Sequence, residues 1–424
     1  MIDIILQAMK KNNISTYRIN TEEVESVELY FIKKELDMRR KKKVTHYEVT
    51  VYRDFEKDGV SYRGFSSLHV FPEMDAQQVE KAVADAYFAA SFVCNPYFAL
   101  RAGKKEDLVQ LPGKLSTLSL DDTVTAFAKA LYSADTRKDS FINSSEFFVT
   151  RKKVSILDSA GTDVSYMENK VTGEFVVQCK EPKDVELYQD FSYLDLDTEA
   201  LTKQATEALE TVCARAKAQS APAKGDYTVI LSGKEMQTLL SLYNQRACTS
   251  AIYAGYSNYK TGMQLQGDDT IGEKLNITLK AVTPYSYEGI PMKDMELLQN
   301  GTLKNIYGNT RFCYYMGVEP TGLYEAMSVD NGTKSLEEMK KEPYLHVVSF
   351  SDFHMDALSG YFGGEIRLAY LYDGEKVTPV TGGSINGNLL ELQKDLTFST
   401  ERYKDSTYDG PFAVCLHHVP VAGA

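Results

Sequence analysis

Histidine, cysteine and paired carboxylates are the residues of this sequence that could bind a metal ion or act in catalysis. The chain has six histidines, and none of them is followed by glutamate. No histidine occurs between His69 and His346. A helical zinc motif takes its histidine ligands from one short stretch of helix, so this long interval of the chain cannot contain such a motif.

A cluster with metal-like composition lies near the C-terminus, where Cys415, His417 and His418 are close together. On a strand Cys415 and His417 would share a face, and a thiolate with an imidazole suits a soft divalent ion. A zinc site takes at least three protein ligands, and no further candidate is near. Two interpretations stay open, a rebuilt metal site and a buried thiol beside partly exposed imidazoles, and we favour the second.

Other catalytic templates are missing from the sequence. The glycines form neither a phosphate-binding GxxxxGK[ST] loop nor a GxGxxG turn, and there is no GxSxG for a serine nucleophile. Cys248 lies in a region without histidine, which favours a buried helix thiol over a nucleophile. Acidic pairs such as Asp268-Asp269 are typical of solvated surface in a chain with a net charge of −12.

Length, charge and cysteine usage limit the class of protein. A chain of 424 residues is too long for one ordinary core, which predicts two domains. The net charge of −12 argues against nucleic-acid binding, because phosphate contacts need clustered lysine and arginine. The basic run at residues 39–43 could face an acidic partner, but a solvated strand edge is the simpler interpretation. Scattered cysteines and the lack of a membrane-spanning apolar run predict a cytoplasmic protein.

The hydrophobic pattern predicts an α+β fold of two domains, each with antiparallel-rich mixed sheets and a few helices. Strand-like segments and helical stripes alternate up to a long alanine-rich helix that starts at Asp197. The stretch at residues 219–225, rich in small residues with proline and glycine, is typical of a linker. We therefore predict an N-terminal α+β domain over residues 1–218 and a β-rich second domain over residues 226–424.

Local signals place several elements in these domains. Asp75 with Gln78 predicts a capping box at a helix start, and Ser335 with Glu338 predicts another. In the second domain, Ser232 is expected to cap a helix whose apolar stripe faces the core. That stripe consists of Met236, Leu239, Leu240, Tyr243 and Ala247. Alternation over residues 365–372, a two-residue Asp373-Gly374 turn and a return strand at 375–380 predict a β-hairpin.

The second domain resembles the TldD/PmbA family, whose members are often labelled modulators of DNA gyrase. The resemblance is carried by YEGIPM at 287–292, QNGTL at 299–303, SLEEM at 335–339 and SGYF at 359–362. It continues through YLYDGEKVTPV at 370–380 and ends with GN at 387–388. The resemblance implies a metallopeptidase-like second domain and is most specific between about residues 285 and 395.

In this family the TldD-type subunit is a zinc peptidase, with an HExxxH helix early in the second domain and a cysteine near the C-terminus. The resemblance puts Asn244 and Gln245 at the His-Glu position, Thr249 at the second histidine and Phe412 at the cysteine. Asparagine and glutamine amides are poor zinc ligands, and glutamine cannot act as a general base. The resemblance therefore implies the TldE/PmbA-like subunit, without its own zinc or other cofactor.

The function that the resemblance implies is that of a non-catalytic subunit in a metallopeptidase complex that acts in proteolysis or peptide maturation. Its partner would be a TldD-like peptidase that carries the zinc, or a second copy of this chain, and its substrate a peptide. One alternative is a metallopeptidase rebuilt around the C-terminal cluster, and another is a homo-oligomeric peptide-binding scaffold. Exposed hairpin backbone could accept a peptide strand, with close approach at Gly363, Gly364, Gly382 and Gly383, although such glycines more often mark turns and bulges.

Overall fold

The computed structural model describes residues 1–423 and has the mixed α+β architecture that the sequence predicts. The first half of the chain forms a seven-stranded sheet with four α-helices and one short 3-10 helix. Its elements are, in chain order, α1 (Ile2–Lys11), β1 (Tyr17–Ile32), β2 (Glu35–Lys57), β3 (Val60–Val70), α2 (Ala76–Ala90), β4 (Val109–Gln110), the 3-10 helix (Lys114–Ser116), α3 (Leu120–Ser133), β5 (Ser140–Asp158), β6 (Asp163–Cys179), β7 (Val185–Tyr193) and α4 (Thr198–Lys217).

The first sheet has the order β3-β2-β1-β5-β6, with β4 and β7 both paired to β6. Its long strands are antiparallel, and residues on β5 and β6 alternate between buried and half-buried because successive side chains point to opposite faces. Helices α3 and α4 cover one face, where Phe127, Leu131, Leu209 and Val212 join the core. The other face is not covered by a helix of this half, and it carries the charged residues described below.

The second half of the chain forms two further sheets. Its elements are β8 (Gly225–Ser232), α5 (Lys234–Ala247), α6 (Thr249–Tyr253), β9 (Ile277–Lys280), β10 (Met295–Gln299), β11 (Thr302–Leu303), α7 (Thr310–Met316), β12 (Ala326–Val329), α8 (Leu336–Met339), β13 (Tyr344–Met355), β14 (Tyr361–Tyr372), β15 (Val377–Val380), β16 (Ser384–Asn388), α9 (Leu389–Leu392), β17 (Leu396–Phe398), β18 (Arg402–Lys404), β19 (Tyr408–Pro411) and β20 (Ala413–Ala422).

The second sheet has the order β11-β10-β9-β12-β19-β18, and the third has the order β13-β8-β20-β16-β14-β15 with β17 beside β20. Strand β13 also pairs with β14, so that five strands of the third sheet close on themselves. The stripe of α5 predicted from the sequence is fully buried in the largest hydrophobic cluster, against Val229 and Leu231 of β8. Helix α5 is therefore the central helix of the second half of the chain.

Two local predictions on turns and caps differ from the structure. Ser232 does not cap α5, whose N-cap is Gly233 without a side-chain cap, because the Ser232 hydroxyl instead lies 2.8 Å from Nε2 of His346. The hairpin between β14 and β15 has a four-residue loop, since Tyr372 pairs with Val377. Asp373 stabilises that loop by accepting from the amides of Glu375 and Lys376, each at 2.9 Å. The capping boxes at Asp75 and Ser335 are confirmed.

Among the described residues, no strand of the first sheet pairs with a strand of the other two sheets. The segment at 219–225 is attached at its start, because Gln219 N donates to Pro379 O over 2.9 Å and Gln219 O accepts from Thr381 N over 3.0 Å. Its last residue, Gly225, already belongs to β8. Within residues 1–423, no helix combines the length and the apolar character that a membrane span requires.

Candidate functional site

Asn244 lies near the C-terminal end of α5 and is half-buried. Its Nδ2 donates to the main-chain carbonyl of Tyr324 over 3.3 Å, while its Oδ1 is buried and has no hydrogen-bond partner among residues 1–423. The hydroxyl of Tyr307 donates to the main-chain carbonyl of Asn244 over 3.2 Å. The side chain is thus attached to the segment before β12, and its oxygen is an unpaired acceptor.

Gln245, the next residue on α5, points away from this position. Its side chain is exposed, and Nε2 donates to Oγ of Ser241 one turn earlier over 3.0 Å. Neighbouring residues on a helix face different directions, which explains why Asn244 contacts the interior and Gln245 contacts solvent. Gln245 therefore forms no part of an enclosed site.

The helix is interrupted between Asn244 and Thr249. Cys248 has ψ of 131°, an extended conformation that ends α5 and begins the short α6. Thr249 N donates to Tyr307 O over 2.8 Å, and Cys248 forms an isolated bridge with Tyr307. The two residues that the resemblance puts at the histidine positions therefore lie on separate helices.

The side chain of Thr249 is enclosed by protein. It is fully buried, and its Oγ1 lies 3.8 Å from Sγ of Cys313 on α7. A Cβ added to Gly308 would stand only 1.8 Å from the same Oγ1, which shows how closely the chain packs here. Burial raises the pKa of the Cys313 thiol to about 11, so this thiol is protonated at neutral pH and is not a ready metal ligand.

Phe412 does not join Asn244 and Thr249 in the structure. It packs with Ile230 and Met339 on the face of the third sheet that points away from α5. Its main-chain N donates to Glu401 O over 2.7 Å, and its carbonyl accepts from Gly233 N over 2.8 Å. Phe412 therefore packs against a different hydrophobic cluster from the one that contains α5.

The alternative metal cluster at the C-terminus is also not assembled. Sγ of Cys415 lies 3.9 Å from Nε2 of His417, whose Nδ1 lies 3.3 Å from the hydroxyl of Thr228. His418 adopts φ of 57° at a β-bulge and is exposed. Burial raises the pKa of the Cys415 thiol to about 11. Within residues 1–423 no group of three histidine, cysteine or acidic side chains has a metal-binding arrangement.

The hairpin glycines have local structural roles. Gly363 and Gly364 lie inside the third sheet, paired to β13 on one side and to β16 on the other. A Cβ on Gly364 would come within 2.6 Å of Asp352 O. Gly382 and Gly383 have φ of 95° and 74°, values that favour glycine. Strand β14 therefore offers no free edge at Gly363 and Gly364 to an added peptide strand.

A cleft of about 430 Å³ lies between the uncovered face of the first sheet and the loops around the second sheet. Tyr324, whose main-chain carbonyl accepts from Asn244, is one of the lining residues. The first sheet contributes Asn20, Glu22, Lys152, Val154, Tyr166, Glu168 and Lys170. The second half contributes, among others, Lys280, Tyr285, Tyr287, Glu288, Leu323, Glu325, Ser406 and Thr407. The volume is that of a typical ligand site.

The charges in the cleft are mixed. Nζ of Lys152 lies 3.2 Å from Glu22 and 3.3 Å from Glu168. Burial lowers the pKa of Lys152, but the two carboxylates more than offset it, so that the net pKa is raised and the ammonium stays charged. Burial raises the pKa of Tyr166 to about 12, which keeps its phenol neutral. The wall therefore combines a compensated charge network with neutral phenols, which suits a polar ligand with both donors and acceptors.

An ion pair between the two halves of the chain involves Glu288, one of the residues that line the cleft. Nη1 of the buried Arg18 lies 3.5 Å from Oε1 of Glu288, and the guanidinium stacks on the ring of Tyr287 at 4.7 Å. Nδ2 of Asn20 donates to Tyr287 O over 2.8 Å. A second cavity of about 20 Å³ adjoins Arg18 and Glu288. The loop 285–292, which contains the motif at 287–292, is thereby attached to β1, a role that sequence analysis had not assigned.

Comparison with known proteins places these features in a wider context. Residues 224–422 match the family model of the PmbA/TldA metallopeptidase C-terminal domain. A solved protein from Thermotoga maritima, described as a modulator of a DNA gyrase, is 19% identical, with a TM-score of 0.76 over 99% of this chain and 98% of that chain. TldE from Thermococcus kodakarensis is 15% identical, with a TM-score of 0.77 over 99% of this chain and 100% of that chain.

A third solved protein, from Bacteroides thetaiotaomicron and also described as a modulator of DNA gyrase, is 19% identical, with a TM-score of 0.77 over 100% of this chain and 99% of that chain. No curated protein sequence matches the chain. At these identities the structural likeness concerns the fold. The fold and the domain match define a mixed α+β protein with a metallopeptidase-type C-terminal domain. By this match, residues 224–422 belong to the PmbA/TldA metallopeptidase C-terminal domain family.

The family description implies a metal centre, and the residues that the resemblance puts at the zinc-motif positions do not fit one. The unpaired Oδ1 of Asn244 is a hard oxygen donor, whereas zinc in peptidases takes imidazole, thiolate or carboxylate ligands. Thr249 is packed against Cys313 and Gly308, and Phe412 has no donor atom and lies on another face. We therefore assign no metal-dependent step to this chain.

Proposed function

We propose that this chain is the zinc-less, non-catalytic subunit of a TldD/PmbA-type metallopeptidase complex acting in proteolysis or peptide maturation. A TldD-like partner supplies the zinc centre. The observation that carries the proposal is the chemistry at the motif positions, where Asn244 donates to Tyr324 O and Thr249 is enclosed by Cys313 and Gly308. Neither residue can replace an imidazole ligand, and the interrupted helix separates them.

The role that remains for the chain is to hold peptide beside the catalytic partner. The cleft next to Asn244 supports this role, because it combines tyrosine side chains with both signs of charge and has the size of a ligand site. Peptide backbones present donors and acceptors together, which such a wall can pair without a requirement for one sequence. The family name of gyrase modulator does not extend this proposal to DNA, because the chain carries a net charge of −12.

The first experiment measures metal content and peptide hydrolysis on the same purified sample of the full chain. We expect less than about a tenth of a zinc per chain and no cleavage of an unfolded peptide. Addition of a TldD-like zinc peptidase should give a complex on size-exclusion chromatography and raise its cleavage rate. About one zinc per chain together with chelator-sensitive activity would reject the proposal.

A set of variants separates this proposal from a rebuilt enzyme. The triple change Asn244→His, Gln245→Glu and Thr249→His should not restore one zinc per chain, because residue 249 starts a new helix in a filled space. Cys415→Ala with His417→Ala should leave metal content unchanged. Loss of both zinc and activity in that second variant would instead place the catalytic centre at the C-terminal strand.

A further inference from the structure

Strand β2 has an open edge over the first half of its length. It runs from Glu35 to Lys57, but β3 pairs with it only from Tyr47 onward, where Tyr47 lies opposite Val70. Residues 35–46 pair with β1 alone. An unpaired strand edge presents a row of main-chain donors and acceptors to which another chain can bind.

The register identifies the main-chain groups that face outward. Tyr52 N donates to Thr16 O over 3.0 Å, so even-numbered residues of β2 direct their main-chain groups toward β1. The register with β1 continues without a shift to Arg40, which lies opposite Glu28. The odd-numbered residues at 39, 41, 43 and 45 therefore direct both N–H and C=O to the open side. None of these groups has a main-chain or side-chain partner within residues 1–423.

The opposite edge of the same sheet shows how this protein protects a strand. On β7, the carbonyl of Glu186 accepts from Nη1 of Arg215 over 2.7 Å, and the carbonyl of Asp190 accepts from Nε2 of Gln204 over 2.9 Å. Both donors belong to α4, which lies beside β7. In the described part of the chain, no element covers β2 in this way between residues 39 and 45, so its main chain is available to a partner.

The side chains on this edge select the partner by charge. Arg39 and Lys41 share the single carboxylate of Asp121, Lys43 pairs with Glu25, and Lys42 has no ion-pair partner within residues 1–423. The side chains of Lys41 and Lys43 are 58% and 83% exposed. In a symmetric antiparallel pair of two copies about Lys41, that residue would face its own copy and Arg39 would face Lys43. Like charges directly opposite are destabilising, so a second copy is disfavoured.

We propose that the open edge of β2, residues 39–45, binds an extended acidic segment of a partner protein by strand addition. The four outward residues pair with the main chain of that segment, and Arg39, Lys41 and Lys43 pair with carboxylates that alternate along it. Main-chain pairing contributes affinity, and the alternating charges contribute specificity. This site is separate from the cleft and does not depend on the proposed function.

The test uses the full chain and a fluorescent short peptide that alternates glutamate and valine, with binding followed by anisotropy. We expect saturable binding. A peptide with lysine in place of glutamate should bind about tenfold more weakly or not at all. A glutamate peptide N-methylated at two adjacent central residues lacks a donor on each of its edges and should also lose about tenfold in affinity.

A matched pair of variants tests the edge itself. Thr45→Pro removes an outward N–H that makes no bond to β1, and it should weaken binding of the glutamate peptide about tenfold. Thr45→Val keeps the N–H and should bind as the wild type does. If Thr45→Pro fails to fold by circular dichroism, the N-methylated peptide decides the same point. Absence of saturable binding, or equal binding of the N-methylated and unmodified peptides, would overturn the proposal.

Discussion

The side-chain amide of Asn244 donates to the main-chain carbonyl of Tyr324 over 3.3 Å and joins the central helix of the second half to the wall of the cleft. The residue that the resemblance puts at the first position of the zinc motif thus binds the cleft wall through its nitrogen. A carboxamide nitrogen is a donor only and cannot coordinate a metal ion. The Asn244 side chain therefore makes a hydrogen bond to a cleft residue and does not act as a metal ligand.

Asn244→Asp should destabilise the protein in a pH-dependent manner. The new carboxylate is half-buried and faces a carbonyl, so burial raises its pKa above the unfolded value and the protonated form is preferred on folding. The loss of unfolding free energy should therefore grow from pH 4 to pH 7 and reach about 2 kcal/mol. Urea unfolding at both pH values measures it. The exposed neighbour provides the control, because Gln245→Glu should change stability by less than about 0.5 kcal/mol.

Gly308 and Thr249 should show coupling in a double-mutant cycle. Gly308→Ala places a Cβ 1.8 Å from Oγ1 of Thr249, which should cost about 1–3 kcal/mol through overpacking. Thr249→Ala removes that oxygen, so the double variant should be more stable than the sum of the two single losses predicts. Chemical denaturation of the four proteins gives the coupling energy. Strict additivity would show that the two residues do not contact each other.

His346 should make the protein sensitive to acid. Burial, with a smaller effect of Lys340, lowers the pKa of His346 to about 3, whereas an unfolded histidine titrates near 6.5. Between these values the unfolded state binds more protons, so the unfolding free energy falls as the pH decreases, by up to about 1.4 kcal/mol per pH unit. His346→Gln should flatten this dependence between pH 6.5 and 4.5. His46→Gln, at an exposed position, should retain the wild-type slope.

Arg18→Met should loosen the contact between the two halves of the chain. The variant loses the ion pair with Glu288 and the stacking on Tyr287, and it leaves the carboxylate without its cation. We expect a loss of about 2 kcal/mol in unfolding free energy and faster limited proteolysis in the loop 285–292. Adding Glu288→Gln removes the unpaired charge and should recover part of the loss. An unchanged stability in Arg18→Met would mean that the loop is held by other contacts.

Several elements could be predicted from the sequence because their signals are local. The capping boxes at Asp75 and Ser335 require only residues three positions apart, and both are confirmed. The stripe of α5 follows from helical spacing alone. Ser232 has the same local signal, but its hydroxyl is engaged by His346 from a distant strand. The contact with His346 therefore replaces the helix cap that the local sequence predicts for Ser232.

The sequence by itself determined the α+β class, the family of the second domain and the absence of a His-Glu pair from the chain, because each depends on residue types and short spacings. Only the tertiary structure decided that the helix ends between Asn244 and Thr249 and that Phe412 lies on the opposite face. The tertiary structure also forms the cleft, because its walls come from strands and loops that are far apart in the chain. The physical reason is that helix caps and stripes are set by neighbours in sequence, whereas cavities and strand edges are set by what packs beside them.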